Sequence, residues 1–246
     1  MYSLLKPFIF KIDPEMAHDL AIKSLKYNFL PEDIFRVQNE EILETKIFGT
    51  KIKNPIGLAA GFDKSAEVYN SLFRFGFGFI EIGTVTPREQ YGNPKPRVFR
   101  LENDRALINR LGFNNDGVEK VSQRLQKNTP SGFLGINIGP NKDSENRTDD
   151  YLKCIKEIKR VLKKNGRLIF AIPNEGSFAW GFARYLISRR WMIKNTNINY
   201  DKIICWEHPN FATRIIKNLD KNLSKSKIKN FPNIFFEDLI LIKKGV

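Results

Sequence analysis

Four short runs in this 246-residue chain carry residue types that could do chemistry. They are NPIGLAAGFDK at 54–64, GTVTP at 83–87, NRLGFNN at 109–115 and GINIGPNKD at 135–143. Each is an apolar, strand-like stretch ending in Gly, Asn, Thr or Lys, which is how site residues are mounted at strand C-termini. The small side chains of Ala59, Ala60 and Gly61 let backbone approach a flat aromatic ring closely. Lys64 then offers a fixed cation, placed where a reduced cofactor ring gathers charge or where a substrate carboxylate sits. The plainer alternative is a turn with Asp63 and Lys64 as a solvent pair. Gly83 and Thr84 present a backbone amide and a hydroxyl, or are simply a strand end. Asn109, Asn114 and Asn115 beside Arg110 can each donate and accept, as recognition of a planar imide or carboxylate requires. Their alternative is Asx turns and a helix cap before Gly117. Asn137 lies between Ile136 and Ile138 in an otherwise apolar strand, and an amide buried there needs partners.

These residues need a scaffold. Strand-like runs at 55–60, 77–85 and 133–138 alternate with helix-like stretches at 65–75 and 115–127, which predicts parallel α/β architecture. Residues 43–54 read as a β-hairpin around Gly49 and Thr50, and 87–108 contains a second one. The spacing predicts a helix over 147–164, stopped by Gly166. Two amphipathic helices precede all of this: one holds Leu4, Leu5, Phe8, Ile9 and Phe10, and the other follows the Asp13-Pro14 cap. A helical cap packed on the domain satisfies their pattern, and so does an interfacial pair touching a membrane. Beyond residue 166 come a strand (167–176), an aromatic helical stretch (178–193) and a closing strand pair (231–245).

Composition narrows the class. Hydrophobic content of 41% and charged content of 28% describe a folded globular chain. No apolar run approaches the roughly 18 residues of a membrane span, and the N-terminus lacks a signal-peptide pattern. Cys154 and Cys205 lack metal-ligand spacing and read as reduced thiols. The net charge of +14 is uneven, because residues 156–246 carry 19 Lys and Arg against 7 Asp and Glu, a net of +12. The run KNLSKSKIKN (221–230) has no interleaved aromatics for base stacking, so no nucleic-acid partner is expected.

Taken in order, AAGFDK, GTVTP, GNPKPRVFR, NRLGFNN and GINIGPNKD, with DPEMAH at 13–18, resemble the N-terminal half of the class 2, quinone-reducing dihydroorotate dehydrogenases. The resemblance runs from about Tyr2 to about Ile158. It implies an α/β fold: an N-terminal helical cap plus a partial TIM barrel, in a flavoenzyme of pyrimidine biosynthesis. The implied reaction oxidises dihydroorotate to orotate on FMN and passes the electrons to ubiquinone. By matching motif, Ala60, Gly61, Lys64, Thr84 and Asn137 would contact FMN. Lys64, Asn109, Arg110, Leu111, Gly112 and Phe113 would contact substrate. Residues 1–40 would form the quinone tunnel and a peripheral membrane contact, on the cytoplasmic face of the inner membrane in a bacterium.

The family's serine loop, which takes the substrate proton, has no counterpart after residue 158. A full barrel needs eight βα units over about 250 residues, and only three fit in 41–158. Ser177 in AIPNEGSF is the nearest stand-in but follows Asn174 instead of preceding it, so no catalytic base is assigned. Residues 159–246 instead resemble the C-terminal part of class I S-adenosylmethionine-dependent methyltransferases, in EIKRVLKKNGRLIFAIPN and the closing EDLILIKK strand. The sequence thus reads as the front of one enzyme joined to the back of another, and as inactive alone.

Overall fold

The computed structural model describes residues 2–29, 41–47, 49–161, 167–173, 184–195, 227–232 and 237–243, with single positions at 182, 197, 199 and 201. The chain divides into two compact units, Met1–Val161 and Leu162–Val246.

The first unit opens with two helices, α1 (Tyr2–Lys11) and α2 (Pro14–Lys26). Asp13 caps α2: its carboxylate accepts from the backbone N–H of Glu15 at 3.0 Å and Met16 at 2.9 Å. Pro14 takes the first turn, where no donor is needed. A hairpin follows, β1 (Thr45–Ile47) and β2 (Thr50–Ile52), paired around Gly49 at φ 82° as the alternation predicts.

Then the parallel sheet begins. It comprises β3 (Gly57–Leu58), β4 (Phe79–Val85) and β7 (Phe133–Ile138), with β4 central and parallel to both neighbours. The connections contain α3 (Tyr69–Arg74) and α4 (Val118–Lys127), and α5 (Arg147–Val161) follows β7. Three successive strand-to-helix units therefore exist, as the alternation requires, in an open sheet. The strand at 55–60 shrinks to two residues, because Asn54 and Ile56 are engaged elsewhere. The Asn54 amide bridges the Gly76 carbonyl and the Ile56 N–H, and the Ile56 carbonyl accepts from Gly78 N–H.

Ile80, Ile82 and Val85 of β4 are fully buried, packed with Tyr69 and Leu72 of α3, Val118 and Val121 of α4, and Cys154 of α5. Each such isoleucine contributes about 1.5–3 kcal/mol relative to exposure. Between β4 and α4 the chain makes a second antiparallel hairpin, β5 (Val98–Leu101) and β6 (Ala106–Asn109). It is the insert read from the Pro- and Arg-rich sequence.

The second unit contains β8 (Arg167–Pro173), β9 (Lys227–Pro232) and β10 (Glu237–Lys243), a three-stranded sheet with β10 antiparallel to both neighbours. One turn of π-helix at Arg184–Arg189 runs into a short helix at Arg190–Asn195. Residues 162–166, including Gly166, lie outside the described residues, as do Ser177 and all of 202–226, including Cys205.

Candidate active site

The backbone at the C-terminal ends of β3 and β4 is stitched together. Gly61 N–H donates to the Gly83 carbonyl at 2.8 Å, and Gly83 N–H donates to the Asp63 carbonyl at 2.9 Å. Both glycines hold positive φ, +111° and +106°, where a β-carbon is strained. They differ in their surroundings. A Cβ on Gly83 would lie 2.4 Å from the Asn137 carbonyl oxygen, whereas one on Gly61 would meet nothing within 4 Å. Gly83 is enforced by packing, and Gly61 opens onto a cleft.

That cleft measures about 950 Å³. Its walls are α2 (Glu15, His18, Asp19, Ile22), the strand ends (Ala60, Gly61, Lys64, Thr84), the β5–β6 hairpin (Arg97, Arg100, Leu107) and the following loop (Asn109, Leu111, Gly112, Phe113, Asn114). Most sequence-predicted residues therefore converge on one space, with two exceptions. The Arg110 guanidinium turns to the Pro96 carbonyl at 2.9 Å and lies over the Phe99 ring. Asn137 stands behind Thr84, whose hydroxyl donates to its Oδ1 at 2.6 Å. Its other amide atom, Nδ2, donates to Glu81 Oε1 at 3.2 Å.

Lys64 is half-buried at the cleft wall. His18 Nε2 lies 2.8 Å from the Phe62 carbonyl and 3.3 Å from Lys64 Nζ. A carbonyl only accepts, so Nε2 carries the proton and has no lone pair left for the lysine. Among the described residues no carboxylate pairs with the Lys64 ammonium. Burial lowers its pKa below the ordinary lysine value, with Asp19 and Glu15 opposing the shift. Such a group favours an anionic ligand. The alternative of an exposed Asp63–Lys64 pair is overturned: the Asp63 side chain is buried and accepts from Glu67 and Val68 N–H, both at 2.8 Å. Burial raises its pKa, with those backbone donors opposing.

The three asparagines of NRLGFNN part company. Asn115 is buried and structural: its Oδ1 accepts from Thr86 N–H and Gly117 N–H, and its Nδ2 donates to the Thr86 hydroxyl and the Phe113 carbonyl. This is the Asx-turn alternative, while the helix cap it also expected is absent: α4 begins after Gly117 with no side-chain cap. Asn109 is exposed at the cleft, and Asn114 carries a buried Oδ1 with no hydrogen-bond partner. Gln90 Nε2 donates to the Gly112 carbonyl at 2.9 Å, and Asn93 N–H to the Leu111 carbonyl at 3.0 Å, so the loop is held along its length.

Residues that the motif reading missed hold the helices over the cleft. Arg97 Nε lies 3.2 and 3.1 Å from the two Glu15 carboxylate oxygens, with side chains only 7% and 12% exposed. The Arg97 guanidinium holds Glu15 below the usual carboxylate range. Arg100 donates to the Phe10 and Ile12 carbonyls at 3.2 and 2.6 Å and lies over the Phe10 ring. The signal was present in RVFR and DPEMAH, but their separation of some 80 residues hid the contact.

A family model described as dihydroorotate dehydrogenase matches residues 42–169. The chain belongs to the dihydroorotate dehydrogenase family. It is 51% identical over 150 residues to the dihydroorotate dehydrogenase (quinone) of Rhodospirillum rubrum, covering 61% of this chain and 40% of that protein. It is 47% identical over 161 residues to the protein of the same name from Idiomarina loihiensis, covering 64% and 48%. The crystal structure of the Eimeria tenella dihydroorotate dehydrogenase with ferulenol superposes with a TM-score of 0.56 at 43% identity, covering 61% and 42%. The chain thus spans less than half the length of these dihydroorotate dehydrogenases, and the family match ends at residue 169, within β8.

Proposed function

We propose that residues 1–161 are the N-terminal part of a quinone-type dihydroorotate dehydrogenase. The observation that carries this reading is the convergence of Ala60, Gly61, Thr84 and Lys64, whose ammonium pairs with no carboxylate among the described residues, at the C-terminal ends of parallel strands. The residues fit FMN: the open space at Gly61 admits a flat ring, and Lys64 supplies the cation. Ala60, Gly61, Lys64 and Thr84 would hold it, with Asn137 supporting Thr84. FMN supplies the two-electron acceptor between dihydroorotate and ubiquinone. Lys64 orients the anionic substrate, and Asn109 with the backbone of Leu111, Gly112 and Phe113 offers it amide and carbonyl partners. No residue of this chain is assigned the proton abstraction, a step typically worth about 10²–10⁴-fold.

The helices α1 and α2 cover the cleft as a quinone entrance and touch a membrane peripherally. Phe8 at 69% exposure, with Ile9, lies beside Lys6 and Lys11. No helix among the described residues is long and apolar enough to cross a membrane.

Fluorescence titration of FMN with the purified chain tests the reading, with saturable quenching expected and lost in Lys64→Ala. No binding by the wild type would refute it. Steady-state dihydroorotate oxidation by the 246-residue chain alone should be absent.

A second reading concerns residues 159–246. A methyltransferase-like C-terminal segment rests on the sequence resemblance alone, since an antiparallel pairing such as that of Arg167–Pro173 with Glu237–Lys243 occurs in many α/β folds. Since the adenosine-ribose loop of such enzymes is not encoded, calorimetry with S-adenosylmethionine should show no heat of binding.

A further inference from the structure

Glu81 has no place in the reading so far, yet it begins a relay that ends at the cleft. It stands on β4 opposite Gly135 of β7 in the parallel register. A Cβ at Gly135 would already touch the Glu81 Cγ at 3.4 Å, so the carboxylate side chain lies across this glycine. Two residues on, on the same face of β7, is Asn137. The atom of its amide that meets Glu81 Oε1 at 3.2 Å is the nitrogen, which donates to the carboxylate. The oxygen of that amide then points the other way, to Thr84 Oγ1 at 2.6 Å. An amide oxygen also only accepts, so the Thr84 proton is committed to Asn137. What Thr84 turns to the cleft is lone pairs.

We propose that Glu81 is a positioning residue: by fixing the amide of Asn137 it makes Thr84 an obligate acceptor toward whatever ring occupies the cleft. The selected ligand group is an N–H or O–H donor. A carbonyl at that position is rejected, because two acceptors would face each other without a proton. Without Glu81, Asn137 rotates by half a turn at little cost, its nitrogen faces Thr84, and the hydroxyl is released to donate instead. This rests on the proposed FMN site and adds to it a residue that touches no ligand.

The test is a double-mutant cycle on FMN affinity, read by flavin fluorescence with the full 246-residue chain. Losing a positioned neutral hydrogen bond weakens binding by about threefold to tenfold. That loss is expected for Glu81→Ala and for Thr84→Val singly. The double variant should be no weaker than Thr84→Val alone, since Glu81 acts only through the hydroxyl. Glu81→Gln, whose side-chain carbonyl can still accept from Asn137 Nδ2, should keep wild-type affinity and a wild-type visible flavin spectrum. It also guards against a folding defect in the alanine variant. Additive losses, or a Gln variant as weak as Ala, would overturn the proposal while leaving the FMN site standing. No FMN binding by the wild-type chain would overturn both.

Discussion

Lys64 is a half-buried cation on the cleft wall that no carboxylate among the described residues pairs with. Burial depresses the Lys64 pKa below its ordinary 10.5, so ligand binding and stability should move in opposite directions with pH. An anionic ligand needs the charged form, and its affinity should fall as pH rises through the lowered value. Stability behaves differently. Between the lowered value and 10.5 the unfolded chain holds more protons than the folded one, so folding becomes more favourable as pH rises. Thermal melts of wild type and Lys64→Met should therefore converge toward alkaline pH, with the wild type gaining. A difference that is flat from neutrality to pH 10 would mean that Lys64 is solvated. At this scale the sequence was informative where chemistry is local: Gly61, Lys64 and Thr84 face the cleft as their motifs imply. It was silent where a role depends on distant partners. Asn115 and Asn109 share a motif and a residue type, but only Asn115 reaches Thr86, and no spacing within NRLGFNN distinguishes them.

Among the elements, the β5–β6 hairpin does more than connect β4 to α4. Its Arg97 is paired with Glu15 of α2 in a nearly dry setting, and removing one partner of such a pair leaves a buried charge. Glu15→Ala should cost about 1–3 kcal/mol at neutral pH, read by urea unfolding, because Arg97 keeps the Tyr91 and Asn93 carbonyls as partners. The sign with pH follows from the lowered Glu15 pKa. The pair's stability is fully present above the unfolded value of 4.5 and is lost as pH falls through the lower folded value. The gap between wild type and variant should therefore close only in strong acid. On α1, Phe8 is exposed while the Phe10 ring is contacted by Lys6 and Arg100. Phe8→Ser should reduce co-sedimentation with anionic liposomes several-fold without changing the melting temperature. Equal sedimentation would remove α1 as the contact. The helix periodicity made both helices legible, because their patterns are local. Which aromatic faces solvent was not legible, since a hairpin some 90 residues away decides it.

For the whole molecule, every described residue that lines the cleft falls between Pro14 and Asp116, inside the first unit. A chain of residues 1–161 should consequently bind FMN with the affinity of the full 246 residues. A fragment tenfold weaker would assign part of the site to the second unit. The βα alternation predicted parallel strands in the first unit, and β3, β4 and β7 are parallel, since parallel neighbours require helical crossovers. Beyond residue 166 the strand at 167 and the closing pair were also readable from their apolar runs, although Ser177 falls outside the described residues.

The grip of Arg97 and Arg100 on the two helices has a consequence for anyone recombining relatives of this chain. Residues 1–29 are not a portable cartridge. Moved alone onto a relative, α2 would arrive with Glu15 lacking its guanidinium, and α1 with its terminal carbonyls uncapped. The heritable unit is discontinuous: the helices and the hairpin of residues 91–110 must travel together, or neither will keep its shape.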